Sequence, residues 1–303
     1  MTVETDDKRS FLIGQAEMPA RPLAAALYLV ATPIGNLGDV TLRALETLAA
    51  ADVLACEDTR VTRTLLARYG IRQRPVAYHE HNAAEAGPRL LAALQQGRSV
   101  ALVSDAGTPL VSDPGFRLVE AVRAEGIPVV PVPGPSAALA ALTASGLPTD
   151  AFFFAGFLPV KGGPRATRLE ELSTVPGTLI FFESPNRLPE ALAAMREALG
   201  DRPAAVCREL TKTFEEVRAA QLSVLAAHYA ESGPPRGEVV VCVGPPLPAE
   251  APAASDVDAL LLSLAAELGS SKAAAEAARQ TGLKKPDLYR RLMELKGDGT
   301  RGA

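Results

Sequence analysis

Apolar residues in this chain follow two rhythms. Runs of four or five, such as Val100-Ala101-Leu102-Val103, read as short buried strands. Between them, apolar positions recur every three or four residues, as on an amphipathic helix. In the first half the spacing predicts strands over residues 27–31, 52–55, 100–104 and 126–133, and helices over 40–51, 87–96, 116–125 and 136–145. Strands alternating with helices imply right-handed crossovers and a mainly parallel sheet.

The pattern shifts at Gly146-Leu147-Pro148. Beyond it come strands over 152–154, 178–182, 204–208, 216–222 and 238–243, with helices over 185–199 and 223–229. Ser184 followed by Pro185 predicts a capped helix start. This block reads as a second α/β domain with a more mixed sheet. Residues 245–254 hold four prolines and four alanines, the composition of a linker. Three short helices follow, over 256–268, 271–280 and 286–296, with Ser271 as a cap and Thr281-Gly282 as a turn. Their rhythm suits a helix-turn-helix-like unit. The expected organisation is a loose extension over 1–24, α/β domains over 25–145 and 146–244, a linker over 245–254, and a basic helical unit over 255–303.

Composition narrows the picture only in places. The 303 residues are 48% hydrophobic and 22% charged, enough for a sizeable core in two domains. Trp is absent and aromatics make up 5%, which argues against a stacking platform for single strands as the dominant feature. Residues 270–303 carry eight Lys/Arg against four acids, a local +4 that leaves −8 for the rest of a chain of net −4. A basic tail on an acidic body points to a polyanion contact. Cys56, Cys207 and Cys242 each sit in an apolar run without CxxC spacing, so they read as buried thiols in a reducing cytoplasm. The first 24 residues lack a signal-peptide core, and no apolar run reaches the length of a membrane span.

The chemistry concentrates in loops that follow strands. Ser104 to Gly115 is a twelve-residue run of Ser, Asp, Gly, Thr and Pro, broken only by Ala106 and the apolar pair Leu110-Val111. In open α/β sheets, ligands bind at loops leaving the carboxyl ends of strands. Gly107 and Gly115 allow close backbone approach, while Pro109 and Pro114 stiffen the loop. The loop after the first strand, Ala31 to Asp39, sits where a dinucleotide fingerprint belongs, with Glu57 and Asp58 near the position of a ribose-binding acid. Pro33 replaces a turn glycine, however, and only Gly35 and Gly38 are present. A backbone cradle for a ligand without phosphates fits better than a Rossmann site. His79-Glu80-His81 lacks a third ligand at metal spacing, so no metal is expected there.

Taken together, the loops resemble the tetrapyrrole methylase superfamily. More narrowly they are similar to its branch of bacterial ribose 2′-O-methyltransferases that act on a cytidine of 16S rRNA. The matching segments are LVATPIGNLGD (29–39), CEDTR (56–60), HEHN (79–82), SDAGTP (104–109), SDPG (112–115) and PGPSA (133–137). They continue through GFLP (156–159) with Lys161, FESPNR (182–187), RELTK (208–212) and GE (237–238). Asn186 departs from the His that relatives often carry. The resemblance covers residues 27–244 in order and weakens through the C-terminal helices.

The resemblance implies S-adenosylmethionine held between two α/β domains. It places Pro33, Asp105, Ala106, Gly107, Thr108, Ser136, Ala137, Phe182, Leu210 and Gly237 near that donor. It also implies a homodimer working on 16S rRNA in the 30S subunit, in the cytoplasm and without a membrane. The donor is already activated, so orientation and desolvation carry much of the catalysis. A general base would assist a ribose hydroxyl. Asp58, Glu183, Glu209 and Lys212 are the candidates, and the sequence does not choose among them. RNA contact is expected at Arg60, His79, Lys161, Arg165, Arg168 and Arg187, the glycine loop around Lys161 being suited to phosphate. Lys284 and Lys285 would hold a second stretch of backbone. Two competing functions remain: a tetrapyrrole C-methyltransferase, and a non-catalytic RNA-binding assembly protein. The basic tail weighs against the first and the cleft loops against the second.

Overall fold

The computed structural model describes residues 9–112, 115–247 and 254–298. Asp113 and Pro114 of the long loop lie outside them, as does the linker from residue 248 to 253. The chain divides into two compact units, which part between Pro246 and Leu247.

The first unit opens with a hairpin, β1 (Ser10–Ile13) paired antiparallel to β2 (Ala16–Pro19). The expectation of a loose extension over 1–24 is corrected for these residues. Phe11 is buried, the Leu12 N–H donates to the Tyr69 carbonyl at 2.8 Å, and Arg9 pairs with Asp52 at 3.0 Å. A buried aromatic and polar ties from Arg9 and Leu12 hold a segment whose four-residue strands give almost no periodic signal.

Five parallel strands follow: β3 (Leu27–Val30), β4 (Val53–Cys56), β5 (Val76–Ala77), β6 (Val100–Val103) and β7 (Val129–Val132). They lie in the order β5-β4-β6-β3-β7. Helices α1 (Leu42–Ala50) and α2 (Thr59–Arg68) supply Leu45, Leu48, Leu65 and Leu66 to one face. Helices α3 (Ala83–Gln95) and α4 (Phe116–Ala124) supply Leu90, Leu94, Leu118 and Val122 to the other. Burial on both faces explains why the strands read as continuous apolar runs. Strand order reverses about β3 and β6, so the loops leaving their carboxyl ends diverge and open a crevice.

Helix α5 (Ala137–Ala144) joins this sheet to a second one. The second sheet contains β8 (Phe152–Phe157), β9 (Thr178–Glu183), β10 (Pro203–Arg208), β11 (Glu216–Gln221) and β12 (Val239–Val243), in the order β11-β10-β12-β9-β8. Only β8 and β9 pair in parallel; the other neighbours are antiparallel. One face packs under α6 (Gly162–Leu172), α7 (Leu188–Leu199) and α8 (Leu222–Ser232) around Phe181, Leu192 and Met195. The other face, with Ile180, Ala205, Cys207, Val240 and Cys242, takes Ala138, Ala141 and Leu142 of α5 and Ile34 of the first lobe. The small side chains of α5 let that helix lie close to the strands, and this brings the two lobes' loops together. The paired α/β lobes expected from the sequence are present.

The second unit is three helices, α9 (Ala254–Leu268), α10 (Ser270–Thr281) and α11 (Lys285–Asp298). Leu261, Ala274, Ala277, Leu288 and Leu292 form their core. No helix among the described residues is long and apolar enough to cross a membrane.

Several local expectations change. Ser184 makes no capping bond, and the predicted helix over 185–199 begins with a 3-10 turn, Pro185–Arg187. Ser271 lies inside α10, whose N-cap is Gly269. Helix α2 falls where no helix was expected, because Thr59–Arg68 is rich in Thr and Arg. The supposed glycine loop around Lys161 is instead the start of α6, with Gly162 and Gly163 in its first turn.

Candidate active site

Main-chain bonds stitch the ends of β3, β4 and β6 together. Thr32 and Gly107 exchange N–H···O=C bonds of 2.9 and 3.0 Å, and the Thr32 hydroxyl donates to the Ser104 carbonyl at 3.2 Å. The Asp58 N–H donates to Oδ1 of Asp105 at 2.8 Å. The loop after β6 is therefore fixed to both neighbouring loops.

Backbone strain is gathered here. Among the described residues, the non-glycine residues at positive φ are Leu110, Ser112, Glu209 and Thr211. They flank Val111 in the loop after β6 and Leu210 in the loop after β10. Each such residue costs about 1–3 kcal/mol, and such strain clusters at ligand sites. Both Val111 and Leu210 line one cavity of about 380 Å³ between the lobes.

That cavity also takes in Ala106, Gly107, Thr108, Ser136, Ala137 and Phe182, so seven of the ten expected donor-contact residues, Leu210 included, line it. Its surface is mostly apolar. Phe182 meets Phe154 and Phe157 edge-on, with ring centroids 4.8 and 5.7 Å apart. The Ser136 side chain makes no capping bond to α5, which leaves its hydroxyl for the cavity. Glu183 and Glu238 reach the lining, which among the described residues contains no Lys or Arg.

A second cavity of about 350 Å³ adjoins the first. Ile34, Ala106 and Glu238 line both. Pro33 and Asp105, expected beside the donor, lie on this second cavity together with Lys212. Gly237 lines neither; its φ of +93° turns the chain tightly past Glu209, and a β-carbon there would lie 2.3 Å from that side chain.

The four candidate bases are all engaged. Asp58 caps α2 and binds Arg60; the Arg60 side chain and N–H hold its carboxyl at about 2. Burial pushes the Glu183 carboxyl above its ordinary value, opposed by the Ser184 N–H and by Arg187 at 3.2 Å. Glu209 is held low, first by the Lys212 ammonium and then by the Glu238 N–H. Desolvation works against the charge on Lys212, but the carboxylates of Glu209 and Glu238, each 2.7 Å away, outweigh it and raise its pKa. Lys212 is therefore a cation at neutral pH, unsuited to remove a proton.

The expected RNA contacts separate. Arg60 is exposed and folded onto Asp58. Lys161 precedes α6 as its exposed N-cap, and Arg168 pairs with Glu171 at 2.9 Å. Arg165 is corrected from a loop cation to a buried helix residue, 3.4 Å from Glu190. Arg187 donates to the Leu158 carbonyl and to Glu183. His79 is half-buried, its ring 6.1 Å from that of His81; no group of three potential metal ligands occurs among the described residues. Lys284 and Lys285 are exposed in the second unit. Sequence reasoning missed Ile34, Val111, Phe157 and Glu238, although all but Val111 stand within matched segments and Val111 directly precedes one. It also missed Val61 and Thr62, because α2 itself carried no signal.

Residues 26–226 match the family model of tetrapyrrole (corrin/porphyrin) methylases, and residues 251–296 match that of the RsmI C-terminal HTH domain. The ribosomal RNA small subunit methyltransferase I of Mesorhizobium japonicum is 69% identical over 294 residues, 95% of this chain and 100% of the relative. The chain belongs to the ribosomal RNA small subunit methyltransferase I family. The Pseudomonas aeruginosa member of that family is 48% identical across 90% of this chain and 99% of its own length. Among solved structures, uroporphyrin-III-C-methyltransferase from Thermus thermophilus is 27% identical, with a TM-score of 0.51 over 73% of this chain and 94% of its own. A cobalt precorrin-4 methyltransferase shares the fold at 19% identity and a TM-score of 0.55, over 73% of this chain and 95% of its own. The superfamily resemblance read from the loops therefore holds, and the narrower branch is the rRNA small subunit methyltransferase I family.

Proposed function

We propose that the protein transfers a methyl group from S-adenosylmethionine to the ribose 2′-hydroxyl of a cytidine in 16S rRNA, on an assembled or nearly assembled 30S subunit. The observation that carries this reading is the first cavity. Its volume falls within the range of ligand pockets, and its walls are apolar with a few placed polar groups. Phe182 and Phe157 offer aromatic surface for an adenine, and Ser136 a free hydroxyl. Carboxylates without a lining cation suit a positively charged sulfonium ligand.

When bound, the donor supplies a methyl group already activated by positive sulfur. The protein's part is to orient and desolvate. Thr32 and Gly107 fix the loop that carries Ala106 and Thr108, and Leu110, Ser112, Glu209 and Thr211 hold strained backbone in the shape of the cavity.

The same reading includes a cytoplasmic homodimer. Edge strand β8 leaves Phe152, Phe153 and Phe157 exposed, an apolar edge of the kind that folded proteins cover. The three cysteines are buried free thiols, which suits a reducing compartment. Sedimentation of the purified protein tests the dimer.

Labelled S-adenosylmethionine offered with 30S subunits, naked rRNA or a porphyrinogen tests the activity. Label in the ribose of 16S rRNA, from 30S subunits, is expected. Label in the macrocycle alone would overturn the reading, and so would donor binding without any transfer.

A further inference from the structure

We propose that the second cavity is the pocket for the acceptor nucleoside, and that Asp105 receives the ribose hydroxyl there and takes its proton. The inference rests on the methyl-transfer reading above and deepens it.

The two cavities meet at Ile34, Ala106 and Glu238. A methyl group that leaves a donor in the first cavity through this junction arrives in the second. The second cavity's walls differ from the first. Thr62, Asp105, Glu238 and Lys212 bring a hydroxyl, two carboxylates and an ammonium around Val61 and Gly35. That mixture of donors and acceptors suits the hydroxyls of a sugar better than an adenine. Arg60, next to Val61 in the chain, is paired with Asp58.

Asp105 is the group placed to act on the hydroxyl. Its Oδ1 is fixed by the Asp58 N–H at 2.8 Å, which orients the carboxylate. Its Oδ2 takes no hydrogen bond or ion pair among the described residues. The other carboxylates near the junction differ: Glu209 and Glu238 both bind Lys212, and Asp58 binds Arg60. In the step, the ribose oxygen forms a bond to the methyl carbon as the carbon–sulfur bond breaks. The sulfur keeps that bond's electron pair and becomes a neutral thioether. The hydroxyl proton passes to Oδ2 of Asp105, and from there to solvent. Lys212 stays charged throughout, held in place by Glu209 and Glu238.

Two variants test this, each measured for donor binding by calorimetry and for transfer to 30S subunits. Val61→Trp fills the second cavity from an exposed position and leaves the first intact. Asp105→Asn keeps an oxygen for the Asp58 N–H and removes the proton acceptor. Both are expected to bind the donor as the unaltered protein does. Val61→Trp should lose about a hundredfold in kcat/KM for 30S. Asp105→Asn should lose about 10²–10⁴-fold in kcat. Donor affinity that collapses in either variant, or transfer that is unchanged in both, overturns the pocket assignment while the methylation reading stands. An unaltered protein that binds donor but never labels 30S overturns both.

Discussion

Gly35 and Lys212 touch across the two lobes so closely that no side chain fits between them. A β-carbon on Gly35 would lie 2.6 Å from Cγ and Cε of Lys212, and the residue sits at φ +151°. The lysine cannot swing aside freely, because Glu209 and Glu238 hold its ammonium. Gly35→Ala is therefore expected to break that three-residue cluster and to lower both the melting temperature and methyl transfer. Combining it with Lys212→Ala should recover part of the stability, since the clash disappears and only the backbone strain remains. Additive losses in the double variant would show that the contact is not tight.

Neighbouring phenylalanines on β9 should fail in different ways. Strand alternation sends Phe181 into the core under α7 and Phe182 into the first cavity, the proposed donor site. Phe181→Ala should cost about 3–5 kcal/mol of stability. Phe182→Ala is expected to melt nearly normally and to bind S-adenosylmethionine about tenfold more weakly, the equivalent of about 1.4 kcal/mol. Calorimetry beside a thermal melt separates the two, and a Phe182 variant that loses only stability would remove it from the donor site.

These contrasts also show what the sequence could convey. The parallel lobe was legible because strands buried on both faces leave unbroken apolar runs, as in Val100–Val103. The cavity-lining loop after β6 was legible because Gly and Pro at a strand end have few other uses. Helix α2 was hidden, since TRVTRTLLAR buries only Thr62, Leu65 and Leu66, and the Asp58 that caps it looked like a ligand acid. Arg165 was misplaced because two glycines and a proline in the first turn of α6 imitate a loop, whereas proline and glycine are tolerated there. Separating the donor cavity from its neighbour needs the pairing of Thr32 with Gly107, and no periodicity encodes that contact.

Arg202 holds the back of the second lobe. It is buried, and its guanidinium donates to the carbonyls of Leu199, Gly244 and Ser173 at 2.8, 3.5 and 2.5 Å. Burial pushes its pKa down, and no carboxylate pairs with it among the described residues. Arg202→Met would strand three carbonyls and is expected to cost about 3 kcal/mol, a fall in Tm of about ten degrees. Arg202→Lys keeps the charge but cannot fork to three acceptors, so it should recover little. A melt within a degree or two of the unaltered protein would contradict this account.

Asp58 makes a pH-dependent contribution whose sign is fixed by its depressed pKa. Its carboxyl is held at about 2 in the folded chain, against about 4 when unfolded. The stabilisation is complete above the unfolded value and is lost as pH falls toward the folded one. Asp58→Asn should keep the cap on α2 and lose the pairing with Arg60. The stability gap between the two proteins is expected to close between about pH 4 and about pH 2, and to narrow in high salt because Arg60 is exposed. A gap that is independent of pH would mean that the cap alone matters.

The basic C-terminal unit separates into cations already paired with carboxylates and cations without such a pair among the described residues. Arg291 grips Asp258 of α9 at 2.6 Å, Arg279 pairs with Glu276, and Arg290 with Asp287. Lys284 and Lys285, at the start of α11, are exposed and form no ion pair among the described residues. If they meet phosphates, replacing both with Ala should weaken binding to 30S subunits and reduce the dependence of log K on log salt by about 2. Arg291→Ala should instead loosen α11 from α9, which lowers the unit's melting temperature and leaves the slope per bound protein unchanged. A double lysine variant with an unaltered salt slope would remove this face from the RNA contact, whatever the charge of the unit as a whole.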